Sequence, residues 1–233
     1  MSARAIKGLL FDKDGTLFDF AATWEQWAAA FLVRAFEGDT GLASQAGQTI
    51  GFDLEQRKFK PGSVVVAGTP GEIAQALAPF LPKMNQHQII DLLNSEAEIA
   101  EQTPAVPLMP FLTDLRQRDL RLGVATNDAQ APAVAHLASA GVLNMFDFVA
   151  GFDAGFGAKP APGQLLAFAD QVNIAPQDVA MVGDSAHDLL AGRAAGMHTI
   201  GVLTGLASAQ DLAPLADVVL RDIGEIPGWL DAR

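Results

Sequence analysis

Short apolar runs alternate with amphipathic segments of helical period over most of the chain beyond residue 105. Uninterrupted runs of this length, rich in Val, Ile, Leu and Ala, are typical of strands that are buried on both faces. The predicted strands are Ile6–Phe11, Leu122–Ala125, Phe148–Ala150, Val179–Val182 and Thr199–Leu203, with a weaker sixth at Ala216–Leu220. Alternation of strands and helices predicts an α/β fold with a Rossmann-like parallel sheet as its core.

The pattern between residues 18 and 105 is different, because strand signals nearly vanish there. Trp24 and Trp27 open a segment of helical spacing, Thr69 to Glu72 reads as a capping box, and Asn85 is a plausible N-cap. We therefore predict an inserted α-helical cap domain over 18–105 and a core built from 1–17 and 106–233. The cap follows the first strand directly, which suggests a lid beside a site.

Composition narrows the possible partners. Half of the residues are hydrophobic and the net charge is −12, so the chain is globular and repels nucleic acid and anionic membranes. The absence of cysteine excludes disulfides, thiolate metal sites and a cysteine nucleophile. Since neither a signal-peptide pattern nor a membrane-spanning run is found, we expect a cytoplasmic protein; its oligomeric state is left open.

Polar residues follow several of the predicted strands. The first strand leads into "FDKDGTLFD", where Asp12 and Asp14 form an acidic pair at the tip of an apolar run. Buried like charges cost several kcal/mol, so the pair must be solvated or must face a cation. In open parallel sheets the carboxyl ends of the strands converge. The residues expected to meet there are Asp12, Asp14, Thr126, Asn127, Lys159, Asp184, Ser185 and Asp188.

The mixture of side chains indicates phosphoryl chemistry. Oxygen-only ligands with excess negative charge suit a hard divalent ion, above all Mg²⁺, which commonly binds one or two carboxylates together with a substrate phosphate. Thr126, Asn127, Lys159 and the backbone amides around Lys13 and Asp14 are suited to hold that phosphate.

Four stretches, "DKDGTLFD", "ATN", "GAKPAP" and "GDSAHD", resemble in this order the four motifs of the haloacid dehalogenase-like (HAD) superfamily. The resemblance spans residues 11 to about 196. The helical insert between the first and second motifs is similar to the helical cap of phosphoglycolate phosphatase and β-phosphoglucomutase.

The resemblance implies a role for each site residue. Asp12 would be the nucleophile that forms an aspartyl-phosphate, and Asp14 would protonate the leaving alkoxide and then deprotonate a water. Asp12, the backbone carbonyl of Asp14, and Asp184 would hold Mg²⁺. Thr126 and Lys159 would neutralise phosphoryl oxygens.

Further residues are expected to support this set. Asp188 would orient the metal ligands or Lys159, and Ser185 would act as a local cap or donor. Lys13 stands where relatives often have an apolar residue; its side chain is expected to point away from the site, so we assign it no catalytic role. His136 and the other histidines show no metal-ligand spacing, which favours structural or solvated roles.

A small basic cluster, Arg57, Lys58 and Lys60, lies in the predicted cap. It is either a solvated face or a source of cations for an anionic substrate tail. On the second interpretation Lys60 and the hydroxyl of Ser63 are predicted to bind substrate.

The function predicted from these residues is a Mg²⁺-dependent phosphatase acting on a small phosphorylated metabolite, such as phosphoglycolate or a sugar phosphate. A phosphomutase with the same aspartyl-phosphate remains the main alternative. A dehalogenase fits less well because its chemistry needs neither Asp14 nor a metal, and a phosphonate hydrolase would need Lys58 or Lys60 as a Schiff base. A non-enzymatic receiver domain is a remote alternative, because no cap of this size interrupts that fold.

Overall fold

A computed structural model describes residues 5–60 and 62–233 of the chain. Six parallel strands form one sheet in the order β5-β4-β1-β6-β7-β8, and two short antiparallel strands pair separately. The strands are β1 Gly8–Phe11, β2 Phe52–Asp53, β3 Lys58–Phe59, β4 Arg121–Ala125, β5 Phe148–Ala150, β6 Val179–Gly183, β7 His198–Val202 and β8 Val218–Leu220. All six predicted strands belong to the large sheet, so the predicted α/β fold is confirmed.

Helices cover both faces of the sheet and fill the segment between β1 and β4. They are α1 Phe20–Ala35, α2 Thr40–Thr49, α3 Val64–Ala67, α4 Pro70–Leu77, α5 Gln86–Glu98, α6 Leu108–Gln117, α7 Gln130–Ser139, α8 Gly163–Gln171, α9 Ala186–Ala195, α10 Ala209–Leu212 and α11 Ile226–Asp231. Within the described ranges, no helix combines the length and the apolar character that crossing a bilayer requires.

The central strand β1 separates two layers of the core. Successive strand residues point to opposite faces, and the fully buried Leu9 and Phe11 join one apolar cluster whereas Leu10 joins another. Leu112 of α6 packs on the first face and Phe168 of α8 on the second. Burial on both faces explains why β1 is uniformly apolar, and it fixes the residue after Phe11 at the middle of the carboxyl edge.

Helices α1 to α5 enclose a hydrophobic cluster of their own, which runs from Phe20 to Ala97. The two connections to the core lie side by side, since Asp19 N donates to Thr103 O at 2.8 Å and Ala105 N donates to Leu17 O at 3.0 Å. We call residues 18–105 the cap and the remainder the core; this division, at 17/18 and 105/106, stays a prediction.

The helix starts of the cap follow the local sequence signals. Thr69 and Glu72 form the predicted capping box of α4, with Pro70 at its first position. Asn85 caps α5 together with Gln88. These caps satisfy backbone N–H groups that would otherwise lack partners, so short-range sequence information alone fixes where these two helices begin.

Candidate active site

Asp12 lies directly after β1, at the centre of the carboxyl edge of the sheet, and is only 9% exposed. Its Oδ1 accepts a hydrogen bond from its neighbour's backbone, Lys13 N, at 2.7 Å and lies 2.7 Å from Lys159 Nζ. Lys159 Nζ also donates to Asp188 Oδ1 at 2.6 Å. The buried ammonium group therefore joins two carboxylates that arrive from different strands.

Asp184, Asp12 and Asp188 form a buried acidic cluster. One carboxylate oxygen from each residue lies within 4.8 Å of the others. Asp184 follows β6, and its Oδ1 lies 3.4 Å from Thr16 Oγ1. Three carboxylates share one lysine here, so the cluster has an excess of negative charge that a divalent cation can neutralise. The chemistry of these donors thus fits a hard metal ion.

The electrostatics of the cluster reflect this shortage of positive charge. Burial, with a further contribution from Asp188, raises the pKa of Asp12 to about 7 although Lys159 opposes the shift. Burial and the two neighbouring carboxylates raise the pKa of Asp184 well above its ordinary value. Burial lowers the pKa of Lys159, but Asp12 and Asp188 outweigh it and the net shift is upward. Lys159 is therefore charged, and the carboxylates are left underneutralised.

Asp188 belongs to the first turn of α9, where it serves two partners. Its Oδ2 accepts from Ser185 Oγ at 2.6 Å and from Ser185 N at 3.1 Å, while its Oδ1 accepts from Lys159. Ser185 is the N-cap residue of α9, and these contacts make it a donor to Asp188. A glycine is required nearby, because a side chain on Gly15, which has φ of +76°, would collide with the carboxylate of Asp184.

Asp14 is not a member of the acidic cluster, and its carboxylate has its own partners. Trp24 Nε1, on α1 of the cap, donates to Asp14 Oδ1 at 2.8 Å. Lys13 Nζ donates to the same oxygen at 2.9 Å. One group from the cap and one from the core thus orient the carboxylate that follows the predicted nucleophile.

The expectation that Lys13 points away from the site is wrong. Its side chain is fully buried, and besides Asp14 its Nζ lies 3.1 Å from Asp128 Oδ2 and 2.9 Å from His136 Nδ1. A buried ammonium group needs anionic or accepting partners, and Lys13 finds two carboxylates and an imidazole within 3.1 Å. The sequence does contain a signal for this buried contact, namely a lysine only two residues after a buried strand.

His136, on α7, connects Lys13 to the cap. An ammonium group can only donate, so His136 Nδ1 accepts, and its Nε2 then carries the proton and donates to Ala97 O of α5 at 2.7 Å. Burial, and next the charge of Lys13, lower the pKa of His136 to about 4. The imidazole is therefore neutral at pH 7 and has a structural role. The sequence favours such a role, because no other metal ligand stands at a suitable spacing from His136.

Thr126 and Asn127 follow β4 and are both buried. Asn127 Nδ2 donates to Lys159 O at 2.9 Å, and its Oδ1 accepts from Lys159 N at 2.8 Å. Asn127 therefore holds the loop that carries the lysine, a contact that its sequence position does not reveal. Gln164, near the start of α8, donates from Nε2 to Thr126 O at 3.0 Å and supports the same strand end.

The structure does not bring Lys60 and Ser63 to this site. Ser63 Oγ donates to Ile50 O at 2.5 Å and accepts from Val65 N at 3.2 Å, so the hydroxyl is used to begin α3. Lys60 is exposed and does not line the cavity beside Asp12. Lys58 pairs with Glu25 at 2.9 Å on the surface. These contacts favour the solvated-face interpretation of the basic cluster.

A family model described as haloacid dehalogenase-like hydrolase matches residues 6–196. This chain belongs to the haloacid dehalogenase-like hydrolase family. The match includes all four motifs and the cap between them, so the predicted family is confirmed.

Relatives of this hydrolase extend the similarity to nearly the whole chain. It is 30% identical to the "Phosphoglycolate phosphatase" of Escherichia coli (strain K12), over 95% of this chain and 91% of that protein. It is 29% identical to the "Probable phosphatase IndB" of Dickeya dadantii (strain 3937), over 94% and 91%. The predicted class of enzyme, a phosphoric monoester hydrolase, is confirmed by these relatives, and the remote receiver-domain alternative is wrong.

The fold agrees with that of a solved structure. The crystal structure of CbbY from Rhodobacter sphaeroides in complex with phosphate superposes with a TM-score of 0.68. That match covers 97% of this chain and 99% of the other at 20% identity. At this identity the similarity concerns the fold alone.

Proposed function

We propose that this hydrolase is a Mg²⁺-dependent phosphatase that cleaves a small phosphorylated metabolite through an aspartyl-phosphate on Asp12. The observation that carries the proposal is the buried group of Asp12, Lys159, Asp184 and Asp188 at the carboxyl edge of the sheet. It combines a carboxylate that lines a cavity, a fixed cation and a shortage of positive charge, which are the requirements of phosphoryl transfer.

The first step is an in-line displacement. A carboxylate oxygen of Asp12 forms a bond to phosphorus as the bond from phosphorus to the ester oxygen breaks. Asp14 gives its proton to the departing alkoxide, and Lys159 and Thr126 stabilise charge on the phosphoryl oxygens. The contacts of Asp14 with Lys13 and Trp24 orient its carboxylate for this role.

The second step regenerates the enzyme. Asp14 removes a proton from a water, whose oxygen forms the new bond to phosphorus, and the bond to Asp12 breaks to release inorganic phosphate. Asp12, Asp184 and the backbone carbonyl of Asp14 would hold Mg²⁺, and Asp188 would orient the set through Lys159 and Ser185. When bound, the ion supplies positive charge that lowers the cost of placing a phosphate beside three carboxylates.

The proposal is tested by hydrolysis of p-nitrophenyl phosphate in Mg²⁺, before and after addition of EDTA. We expect EDTA to abolish turnover and fresh Mg²⁺ to restore it. Asp12→Asn should lower kcat by more than about 10³-fold, because the amide is not a nucleophile. Asp170→Asn, on the exposed side of α8, is the matched control and should keep normal kcat. Turnover that survives in Asp12→Asn would exclude the covalent mechanism.

The phosphomutase alternative uses the same first step and differs in what accepts the phosphoryl group. A product assay separates the two, since a phosphatase releases one inorganic phosphate per ester consumed. Conversion of a sugar phosphate into an isomeric ester, without release of phosphate, would favour the mutase.

A further inference from the structure

A cavity between core and cap adjoins the candidate catalytic residues, and its two sides differ in chemistry. The core side contributes four carboxylates, those of Asp12, Asp14, Asp128 and Asp188, together with Lys159. The buried Lys13, which is not part of the described lining, pairs with Asp14 and Asp128. The cap side is predominantly apolar. Its described lining includes Phe20 and Trp27 of α1, Val65 of α3, Ile73 of α4, and Leu93 and Asn94 of α5.

The charge around this cavity disfavours a second anion on the substrate. Among the described lining residues, Lys159 is the one lysine or arginine, and Asp12 and Asp188 already engage its ammonium group. His187 of α9, a core residue, also lines the cavity. A carboxylate on the leaving group would therefore be buried against apolar side chains without a cation, which is costly.

Two residues of the cap-side lining, Trp27 and Asn94, each carry a polar atom without a partner among the described residues. Trp27 Nε1 and Asn94 Oδ1 are buried and have no hydrogen-bond partner within the described part of the chain. The ring of Trp27 is held in place by Phe31, stacked at 5.1 Å, and by Trp24, edge-on at 5.2 Å. A buried donor and a buried acceptor left unpaired are uncommon, and a ligand group is one way to satisfy them.

We propose that the leaving group of the natural substrate is an uncharged, mainly apolar alcohol with a polar group that pairs with Trp27 and Asn94. This inference rests on the proposed phosphatase function and names its substrate class. The phosphoryl group occupies the charged side at Asp12, and the alcohol extends along Phe20 and Leu93 into the cap. Phosphoglycolate, whose leaving group carries a carboxylate, is then a poor substrate.

Matched esters test the charge argument with the full-length protein in Mg²⁺. Benzyl phosphate and 4-carboxybenzyl phosphate differ by one carboxylate and have leaving alcohols of similar basicity. We expect kcat/KM to be higher for benzyl phosphate by at least ~10-fold, because the site would leave the carboxylate unpaired. Equal values, or a preference for the carboxylate, would overturn the inference. Ethyl phosphate against phosphoglycolate repeats the comparison with small leaving groups.

A new cation in the cavity should invert this selectivity. Asn94→Lys adds an ammonium group to the apolar side, and we expect it to raise the ratio of kcat/KM for 4-carboxybenzyl over benzyl phosphate by at least ~10-fold. Ser95→Lys is the matched control, since it adds the same charge to an exposed position of α5 that does not line the cavity. An unchanged ratio in Asn94→Lys would show that the leaving group lies elsewhere.

The unpaired indole is tested by Trp27→Phe, which keeps an aromatic ring against Phe31 and removes the N–H. The test esters are benzyl phosphate and 3-hydroxybenzyl phosphate, the second of which offers an acceptor. We expect a loss of roughly threefold to tenfold in kcat/KM for the hydroxybenzyl ester and little change for the benzyl ester. Equal losses on both esters would overturn the assignment of a polar partner to Trp27.

These outcomes are distinguishable from failure of the proposed function itself. If p-nitrophenyl phosphate is hydrolysed but the carboxylate-bearing esters are preferred, the phosphatase function stands and the substrate class is wrong. If no ester is hydrolysed in Mg²⁺, the phosphatase function and the inference that rests on it are both overturned.

Discussion

At the scale of single residues, the central feature is a local imbalance of charge. Asp12, Asp184 and Asp188 are almost completely buried, and Lys159 is the basic side chain in contact with Asp12 and Asp188. Like charges that are buried together destabilise a fold unless a cation compensates them. The acidic cluster therefore destabilises the fold unless a cation binds beside it.

Removing one carboxylate of the cluster should abolish stabilisation by metal. Mg²⁺ at ~100-fold above its Kd should stabilise the wild type by about 2 kcal/mol or more, which raises Tm by roughly 5 °C. In Asp184→Asn we expect this shift to disappear, while Tm without metal is unchanged or higher because a buried charge is lost. Differential scanning fluorimetry with and without Mg²⁺ measures both effects.

Asp170→Asn serves again as the control and should retain the full response to Mg²⁺. An equal response in Asp184→Asn would mean that the ion binds elsewhere.

At the scale of elements, an ion pair joins a helix to the ends of two strands. Arg116 of α6 binds Asp147, just before β5, through two hydrogen bonds of 2.6 and 3.1 Å. Asp147 also accepts from the backbone of Leu122 in β4 at 3.0 Å. This contact fixes the edge of the sheet relative to α6, and with it the start of β4, the strand that Thr126 follows.

The Asp147 contact should contribute stability that depends on pH. Burial raises the pKa of Asp147, but hydrogen bonds from Arg116 and Leu122 outweigh it, so the pKa falls below the ordinary 3.8. A carboxyl group with a depressed pKa stabilises the fold above its unfolded pKa, and the contribution is lost as pH falls through the folded value. We expect Asp147→Asn to cost about 1–2 kcal/mol at pH 7 in urea unfolding, and progressively less below pH ~4.

Asp114→Asn is the matched control for the urea unfolding of Asp147→Asn. Asp114 lies on α6, the helix that carries Arg116. Asp114 pairs with Arg118 at an exposed position, so its replacement should cost less than ~0.5 kcal/mol at either pH. A cost for Asp147→Asn that is the same at pH 3 and pH 7 would contradict the assigned role of its charge.

At the scale of the whole molecule, Lys13 contacts residues of both the core and the cap. Its ammonium group contacts Asp14, Asp128 and His136 of the core, and lies 5.4 Å from the ring centroid of Trp24 in α1. His136 extends the network to Ala97 O in α5. Two cap helices are thus connected to the loop that carries Asp14, so the position of the cap and the orientation of this carboxylate depend on each other.

Loss of the Lys13 charge should therefore affect both stability and catalysis. In Lys13→Met the two carboxylates and His136 Nδ1 lose their buried partner, which we expect to cost about 3–5 kcal/mol in urea unfolding. We also expect kcat on p-nitrophenyl phosphate to fall by at least ~10-fold with a smaller change in KM, because Asp14 is no longer oriented.

Lys7→Met is the control for this prediction. Lys7 pairs with Asp178 at 2.8 Å, but its side chain is 61% exposed, so its removal should cost less than ~1 kcal/mol and leave kcat unchanged. Normal kcat in a folded Lys13→Met protein would show that the network acts in stability alone.

The sequence predicted the strands better than the contacts between distant side chains. Apolar runs such as those of β1 and β6 mark buried strands by themselves, and the helix caps at Thr69 and Asn85 depend only on residues three positions apart. In contrast, predicting whether Lys60 and Ser63 contact the substrate requires the position of a cap loop relative to the core. No local sequence pattern contains that information.

What the sequence determined by itself is the six strands of the large sheet, the family, and the order of the residues that meet at the carboxyl edge, because each depends on periodicity or on short motifs; the short strands β2 and β3 were not predicted. Only the tertiary structure decided that Lys13 turns toward Asp14, that Asn127 holds the Lys159 loop, and that the cap side of the cavity is apolar. These facts depend on which side chains become neighbours after packing, and long-range neighbours are fixed by burial of the whole core and not by any one segment.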